Sequence, residues 1–132
     1  MSLFHKSVLL LCLLLPVVNS AFWDKVHVRV TNYLEGELDL TLHCKSKDDD
    51  LGVKVLHQDQ FYEFSFRPNF WGTTLFHCSF QWQHVTKRFD IFKDHRDYDG
   101  YFFYWTIQQD GPCVFDKPNG FLPLNCFPWN PK

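Results

Sequence analysis

Large apolar side chains recur at every second position in one stretch of this chain after another, and few folds tolerate that pattern. Val26, Val28 and Val30 alternate with His27, Arg29 and Thr31. Leu38, Leu40, Leu42 and Cys44 share one face of a second stretch, and Val53 and Val55 begin a third. Tyr62, Phe64 and Phe66 mark a fourth before Arg67-Pro68-Asn69 turns the chain. Thr73 to Trp82 is the longest and most aromatic, Phe89 and Ile91 face inward from a sixth, and Tyr101, Phe103, Trp105 and Ile107 alternate on a seventh. A period of two residues lines one face of a β-strand. No 3.6-residue period persists for three turns, and proline punctuates the last quarter, so helix is expected to be minor or absent. Asp99-Gly100 suits a tight turn, and Asn119-Gly120 starts another small hairpin. The predicted fold is all-β: a small antiparallel β-sandwich, immunoglobulin-like, with seven to eight strands around an aromatic core.

The first 20 residues stand apart. Lys6 lies in a polar lead, an apolar run from Val8 to Leu15 follows, and Val18-Asn19-Ser20 provides small residues for cleavage. The run is too short to span a bilayer, which takes about 20 apolar residues. Residues 1-20 therefore read as a secretory signal peptide cleaved before Ala21, and residues 21-132 as one domain. Cleavage leaves 112 of the 132 residues and removes Lys6, so 12 basic face 15 acidic side chains. A net charge of −3 gives no basic stripe for nucleic acid and no attraction to anionic lipid. We expect neither a nucleic-acid partner nor membrane insertion, and a monomer in the extracellular space.

Of five cysteines, Cys12 leaves with the signal. Cys44, Cys78, Cys113 and Cys126 remain, an even number suited to an oxidising compartment. Cys44 and Cys78 fall on the apolar faces of their strands and should point into the core, bridging two sheets. Cys113 and Cys126 enclose a short segment with Pro118-Asn119-Gly120. The favoured pairing is thus Cys44–Cys78 and Cys113–Cys126.

Chemistry is sparse. His-Cys occurs at His43-Cys44 and His77-Cys78, but strand neighbours point to opposite faces, so the dipeptide cannot offer both side chains to one ion. The two histidines should lie on the outer face, near each other. Asp97, Asp99 and Gly100 imitate part of a calcium loop, yet His95 and Thr106 stand where oxygen ligands belong. No metal and no cofactor are expected. Ser46, Ser65 and Ser79 lack the Gly-x-Ser-x-Gly setting of an exposed nucleophile, and no glycine-rich phosphate loop exists, so an enzyme is not expected. Trp82 and Trp105 face inward. Trp23, Trp71 and Trp129 lie near termini or turns, where they cap the sandwich or, as the alternative, form an exposed platform for carbohydrate.

Two blocks resemble a known family. His43-Cys44-Lys45-Ser46-Lys47-Asp48-Asp49-Asp50-Leu51-Gly52 is similar to one signature of the plant self-incompatibility protein S1 family, the S-protein homologues. Phe64-Ser65-Phe66, with Thr73-Thr74-Leu75-Phe76-His77-Cys78-Ser79-Phe80-Gln81-Trp82, is similar to another. The opening Val28 to Asn32 strand fits as well. The resemblance implies a secreted, non-enzymatic plant protein that acts as a signalling or recognition ligand for a cell-surface receptor. Two charged loops are candidate contacts: Lys47, Asp48, Asp49 and Asp50 in the first signature, and Lys93, Asp94, His95, Arg96 and Asp97 outside both. For Lys45 to Gly52 a structural role, a turn fixed by Asp hydrogen bonds and Gly52, outweighs recognition. For Lys93 to Gly100 the balance is reversed. A secreted carbohydrate-binding or defence protein using exposed aromatics is the alternative function.

Overall fold

In a computed structural model, residues 25–97 and 100–130 are described. The signal peptide, Trp23 and the Tyr98-Asp99 part of the expected turn and calcium-like loop lie outside them. Among the described residues nine strands form: β1 Val26–Asn32, β2 Leu40–Lys45, β3 Asp50–Leu56, β4 Phe61–Phe66, β5 Leu75–Trp82, β6 Val85–Lys93, β7 Phe102–Gln108, β8 Gly111–Phe115 and β9 Asn125–Cys126. None of the described residues is helical. The strands make two sheets, ordered β4-β1-β7-β8-β9 and β3-β2-β5-β6.

The alternation places the core as expected. Val26, Val28 and Val30 are buried in β1, and Phe76, Cys78, Phe80 and Trp82 in β5. They meet Phe89 and Ile91 of β6 and Trp105 and Ile107 of β7. Ring contacts run through this layer, with Phe66 packed on Phe76 at 4.5 Å and Phe89 on Trp105 at 5.2 Å between centroids. Each such ring buries about 150–250 Å². Among the described residues one polar side chain lies fully inside: Asn32, whose Nδ2 donates to the carbonyls of Leu38 and Leu56 and whose Oδ1 accepts from Leu34 N. Those three bonds satisfy the amide where water cannot reach it.

Several details depart from the expectation. β1 and β7 pair parallel, because the chain crosses between sheets before returning, whereas the other neighbours pair antiparallel. Val53 and Val55 point to solvent at 61% and 54% exposure, since β3 is an edge strand with only part of one face covered. β6 is bulged against β5 between Phe76 and His77, so consecutive Ile91 and Phe92 are both buried. Both expected disulfides are present. Cys44–Cys78, however, joins directly paired positions of the neighbouring strands β2 and β5, with Cα atoms 4.0 Å apart. It staples one sheet rather than bridging two, because alternation fixes which face a thiol takes and not which strand lies beside it. Cys113–Cys126 likewise joins paired residues of β8 and β9.

The C-terminal segment closes the sandwich. Phe127 N donates to Pro112 O at the β8 edge, and Asn130 N donates to Arg88 O on β6. Between these anchors Phe127 packs on Phe89 and Trp105, and Trp129 on Phe80 and Trp82. Gly111, at φ 144°, lies under this strap, and a Cβ there would fall 2.1 Å from the Phe127 carbonyl oxygen. Gly111→Ala should therefore dislodge the strap and cost about 2–4 kcal/mol, in the range of substitutions that force backbone strain. Urea unfolding checks the loss, and a red shift of tryptophan emission should accompany it as Trp129 becomes wet.

Candidate recognition surface

The first charged loop is a β2–β3 hairpin whose base and tip do different work. Ser46 N donates to Asp49 O at 2.8 Å, and Ser46 Oγ accepts from Asp49 N at 3.1 Å, closing the turn. Asp50 opens β3, and its Oδ1 accepts from Gly52 N at 2.9 Å and from His43 Nε2 at 2.6 Å. Gly52 adopts φ 80°, a left-handed conformation that glycine enters without a Cβ penalty. The hydrogen bond from His43, followed by that from the Gly52 amide, holds the Asp50 carboxyl below its ordinary range. The geometry thus gives Asp50 a structural role, as expected for this loop. Lys47, Asp48 and Asp49 at the tip are exposed, and their side chains have no partner among the described residues.

The second loop is less free than its sequence suggests. Asp94 Oδ2 accepts from Thr74 N at 2.8 Å, and Asp94 N donates to Thr74 O. Asp97 accepts from Lys93 N and binds Arg96 bidentately, Nε to Oδ1 at 2.9 Å and a terminal nitrogen to Oδ2 at 2.6 Å. Arg96 also donates to Asp90 O, and its guanidinium lies 5.1, 5.5 and 5.2 Å from the ring centres of Phe89, Trp105 and Phe127. Three of the five expected contact residues, Asp94, Arg96 and Asp97, are therefore tied into the fold. Only Lys93 and His95 present exposed side chains.

Facing the first loop is the Asn69–Thr74 turn. Asn69 builds it: its Oδ1 accepts from Thr73 N, its Nδ2 donates to Thr73 Oγ1, and its N donates to Thr74 Oγ1. The turn lifts Phe70 and Trp71 clear of the surface, 74% and 80% exposed, packed edge to face on each other. Lys47, Asp48 and Asp49 on one side and Asn69 and Trp71 on the other wall a groove of about 650 Å³ floored by Phe66 and Phe76. The sequence names the members of both walls without showing that they share a groove, because nothing in the spacing of residues 47 and 71 tells that their turns lie at the same end of the sandwich. Trp129, the other sugar-platform candidate among the described residues, is packed against Phe80 and Trp82 instead.

His43 and His77 do fall on the outer face, where they line one depression. Among the described residues no three His, Cys, Asp or Glu side chains are grouped to hold a metal ion.

Comparison with known proteins agrees with this architecture. The model of the plant self-incompatibility protein S1 family matches residues 27–129. S-protein homolog 5 of Arabidopsis thaliana is 46% identical over 111 residues, spanning 82% of this chain and 80% of that protein. S-protein homolog 2 of the same plant is 43% identical over 119 residues, spanning 85% and 73%. A solved structure superposes with a TM-score of 0.57 at 16% identity, covering 83% of this chain and 97% of its own. It is described as a self-incompatibility protein homologue of a widespread family of small, highly stable, secreted plant proteins.

Two outcomes separate frame from surface. Arg96→Ala removes the cation from three rings and leaves the Asp97 carboxylate with only the Lys93 amide and no counter-charge, so it should cost about 2–4 kcal/mol in urea unfolding, whereas Lys93→Ala should stay within about 0.5 kcal/mol. Because the Asp50 carboxyl is held low in the folded protein, its contribution is complete above the ordinary carboxylate range and is lost as pH falls through that lowered value. Hydrogen-exchange protection of the Gly52 amide should follow this sign, falling on acidification, and Asp50→Asn should reduce protection at neutral pH.

Proposed function

Since the chain belongs to the plant self-incompatibility protein S1 family, we propose that it is a secreted extracellular recognition ligand that binds a cell-surface receptor protein through the groove between its β2–β3 hairpin and the Phe70-Trp71 turn. The observation carrying this reading is the contrast at the groove: the backbones of both loops are fastened by side-chain hydrogen bonds, while Lys47, Asp48, Asp49 and Trp71 extend unbonded into solvent. A fastened loop loses little conformational entropy when a partner binds. An exposed tryptophan supplies the kind of anchor that dominates protein interfaces. Mixed charge beside it tunes encounter rate and partner choice more than affinity. Secretion is supported by the cysteine pairing, which suits an oxidising compartment, and by the structural neighbour being a secreted protein. No step in this reading transforms a bound molecule. Lys93 and His95 remain candidates for a peripheral role.

Trp71 also keeps the alternative open, a carbohydrate-binding or defence protein stacking a sugar on that one ring. The experiment covers both. Labelled mature protein is bound to intact plant cells and to an array of cell-wall glycans, alongside Lys47→Glu/Asp48→Lys/Asp49→Lys and Trp71→Ala variants. Each variant should bind cells at least tenfold more weakly with an unchanged unfolding midpoint. Unaltered cell binding by both would overturn the receptor reading. Glycan binding lost only in Trp71→Ala would favour the alternative.

A further inference from the structure

The outer face of the β3-β2-β5-β6 sheet holds a second arrangement, of which the groove touches only His77. Register places His43 opposite Ser79 and Ser79 opposite Arg88; one pair further on, Lys45 lies opposite His77 and His77 opposite Asp90. Six polar side chains thus form two rows across β2, β5 and β6, on strands about 4.8 Å apart. The strap brings Asn130 to the same place through its bond to Arg88 O. Together they enclose a depression of about 380 Å³. Its rear is closed by the sheet itself, since Cys78 and Phe89 have their side chains in the core.

Charge and hydrogen-bonding capacity narrow what fits. His43 is already engaged by Asp50. The side chains of His77, Arg88 and Asp90 have no partner among the described residues, and that of Lys45 makes no hydrogen bond or ion pair there, its charge acting on Asp50 only from a distance. Lys45 and Arg88 bring donors without acceptors, Asp90 brings acceptors without donors, and Ser79 and Asn130 do both. A bare inorganic anion would meet Lys45 and Arg88 but also the like charge of Asp90. A neutral sugar would find no exposed aromatic face here to stack on. A ligand carrying one carboxylate beside hydroxyl groups satisfies both sets at once: the carboxylate accepts from Lys45 and Arg88, and the hydroxyls donate to Asp90 and exchange hydrogen bonds with Ser79 and Asn130. Charge-assisted bonds of this kind are about twice as strong as neutral ones.

We propose that this depression binds a uronate-type acidic sugar, as a free oligosaccharide or as a residue of an acidic polysaccharide. The site adjoins the groove at His77 but draws its charged groups from Lys45, Arg88 and Asp90, which the groove does not use, so its test stands apart from the receptor reading.

Calorimetric titration with trigalacturonate, galactotriose and inorganic phosphate at low ionic strength distinguishes the outcomes. Saturable binding of trigalacturonate is expected, weakened by added salt as for a screened charge contact. Arg88→Ala and Lys45→Ala should each weaken it at least tenfold, and Trp71→Ala and Lys47→Ala should leave it unchanged. Both cation variants should keep the wild-type unfolding midpoint, because the two side chains are exposed and neither makes a hydrogen bond or ion pair among the described residues. Repeating the titration with polygalacturonate separates a site open to internal residues of a chain from one that takes only short oligosaccharides; binding of either supports the proposal. Equal affinity for galactotriose, binding of phosphate as tight as that of trigalacturonate, absence of saturation with every acidic sugar, or indifference to both cation variants would overturn it.

Discussion

Two backbone hydrogen bonds near the C-terminus, Phe127 N to Pro112 O and Asn130 N to Arg88 O, hold the edges of the two sheets together, and much else follows from them. They position Phe127 and Trp129 against Phe80, Trp82, Phe89 and Trp105, rings that the sheets alone would leave partly wet. At about 25 cal/mol per Å² of apolar surface, covering even one such ring is worth a few kcal/mol. Phe127 then supplies the third ring under the Arg96 guanidinium. Arg96 in turn fixes Asp97, and Asp97 fixes the amide of Lys93. The strap and the second charged loop are therefore one mechanical unit, and the loop's geometry depends on residues more than thirty positions away.

That dependence explains where sequence reading succeeds and where it fails. A strand's inward face is a local property: the repeat of Val26, Val28 and Val30 needs only the two-residue period, and β1 buries all three. The cysteine faces are local in the same sense. The partner strand is not, which is why an expected bridge between sheets is a staple within one. Val53 and Val55 carry the same pattern as buried strands, yet their edge position leaves the outward face uncovered. Phe92 is the converse case, a residue that alternation assigns outward and a bulge turns in. Arg96 in a charged loop reads as exposed because the three rings that receive it come from separate segments. The Phe127–Asn130 strap has no period at all and carries no signal beyond its aromatic content.

The candidate groove divides along the same line. Asp50 and Gly52 could be assigned to the turn from the short-range chemistry of Asp and Gly, and their bonds lie within a few residues of each other. The meeting of Lys47, Asp48 and Asp49 with Trp71 is a product of topology. It needs β3-β2-β5 to be adjacent, so that the β2–β3 hairpin and the turn preceding β5 emerge at one end. Neither turn contains a residue whose identity announces the other.

What this arrangement permits is independence between frame and surface. The bonds that hold each loop run through backbone groups and through Ser46, Asp50 and Asn69, whereas the side chains of Lys47, Asp48, Asp49 and Trp71, which extend into the groove, contribute little to the fold. Exposed residues without such engagements usually change stability by less than about 0.5 kcal/mol when replaced, so their chemistry can be altered while the sandwich stays intact. The reverse holds for Arg96 and Gly111, where a change of surface cannot be separated from a change of frame. A neighbour with 16% identical residues shares the fold at a TM-score of 0.57, as expected when the frame rests on alternation and a few placed polar groups rather than on particular side chains at every position. The surface that such a frame presents is then free to differ from one member to the next, and recognition specific to one partner requires that freedom.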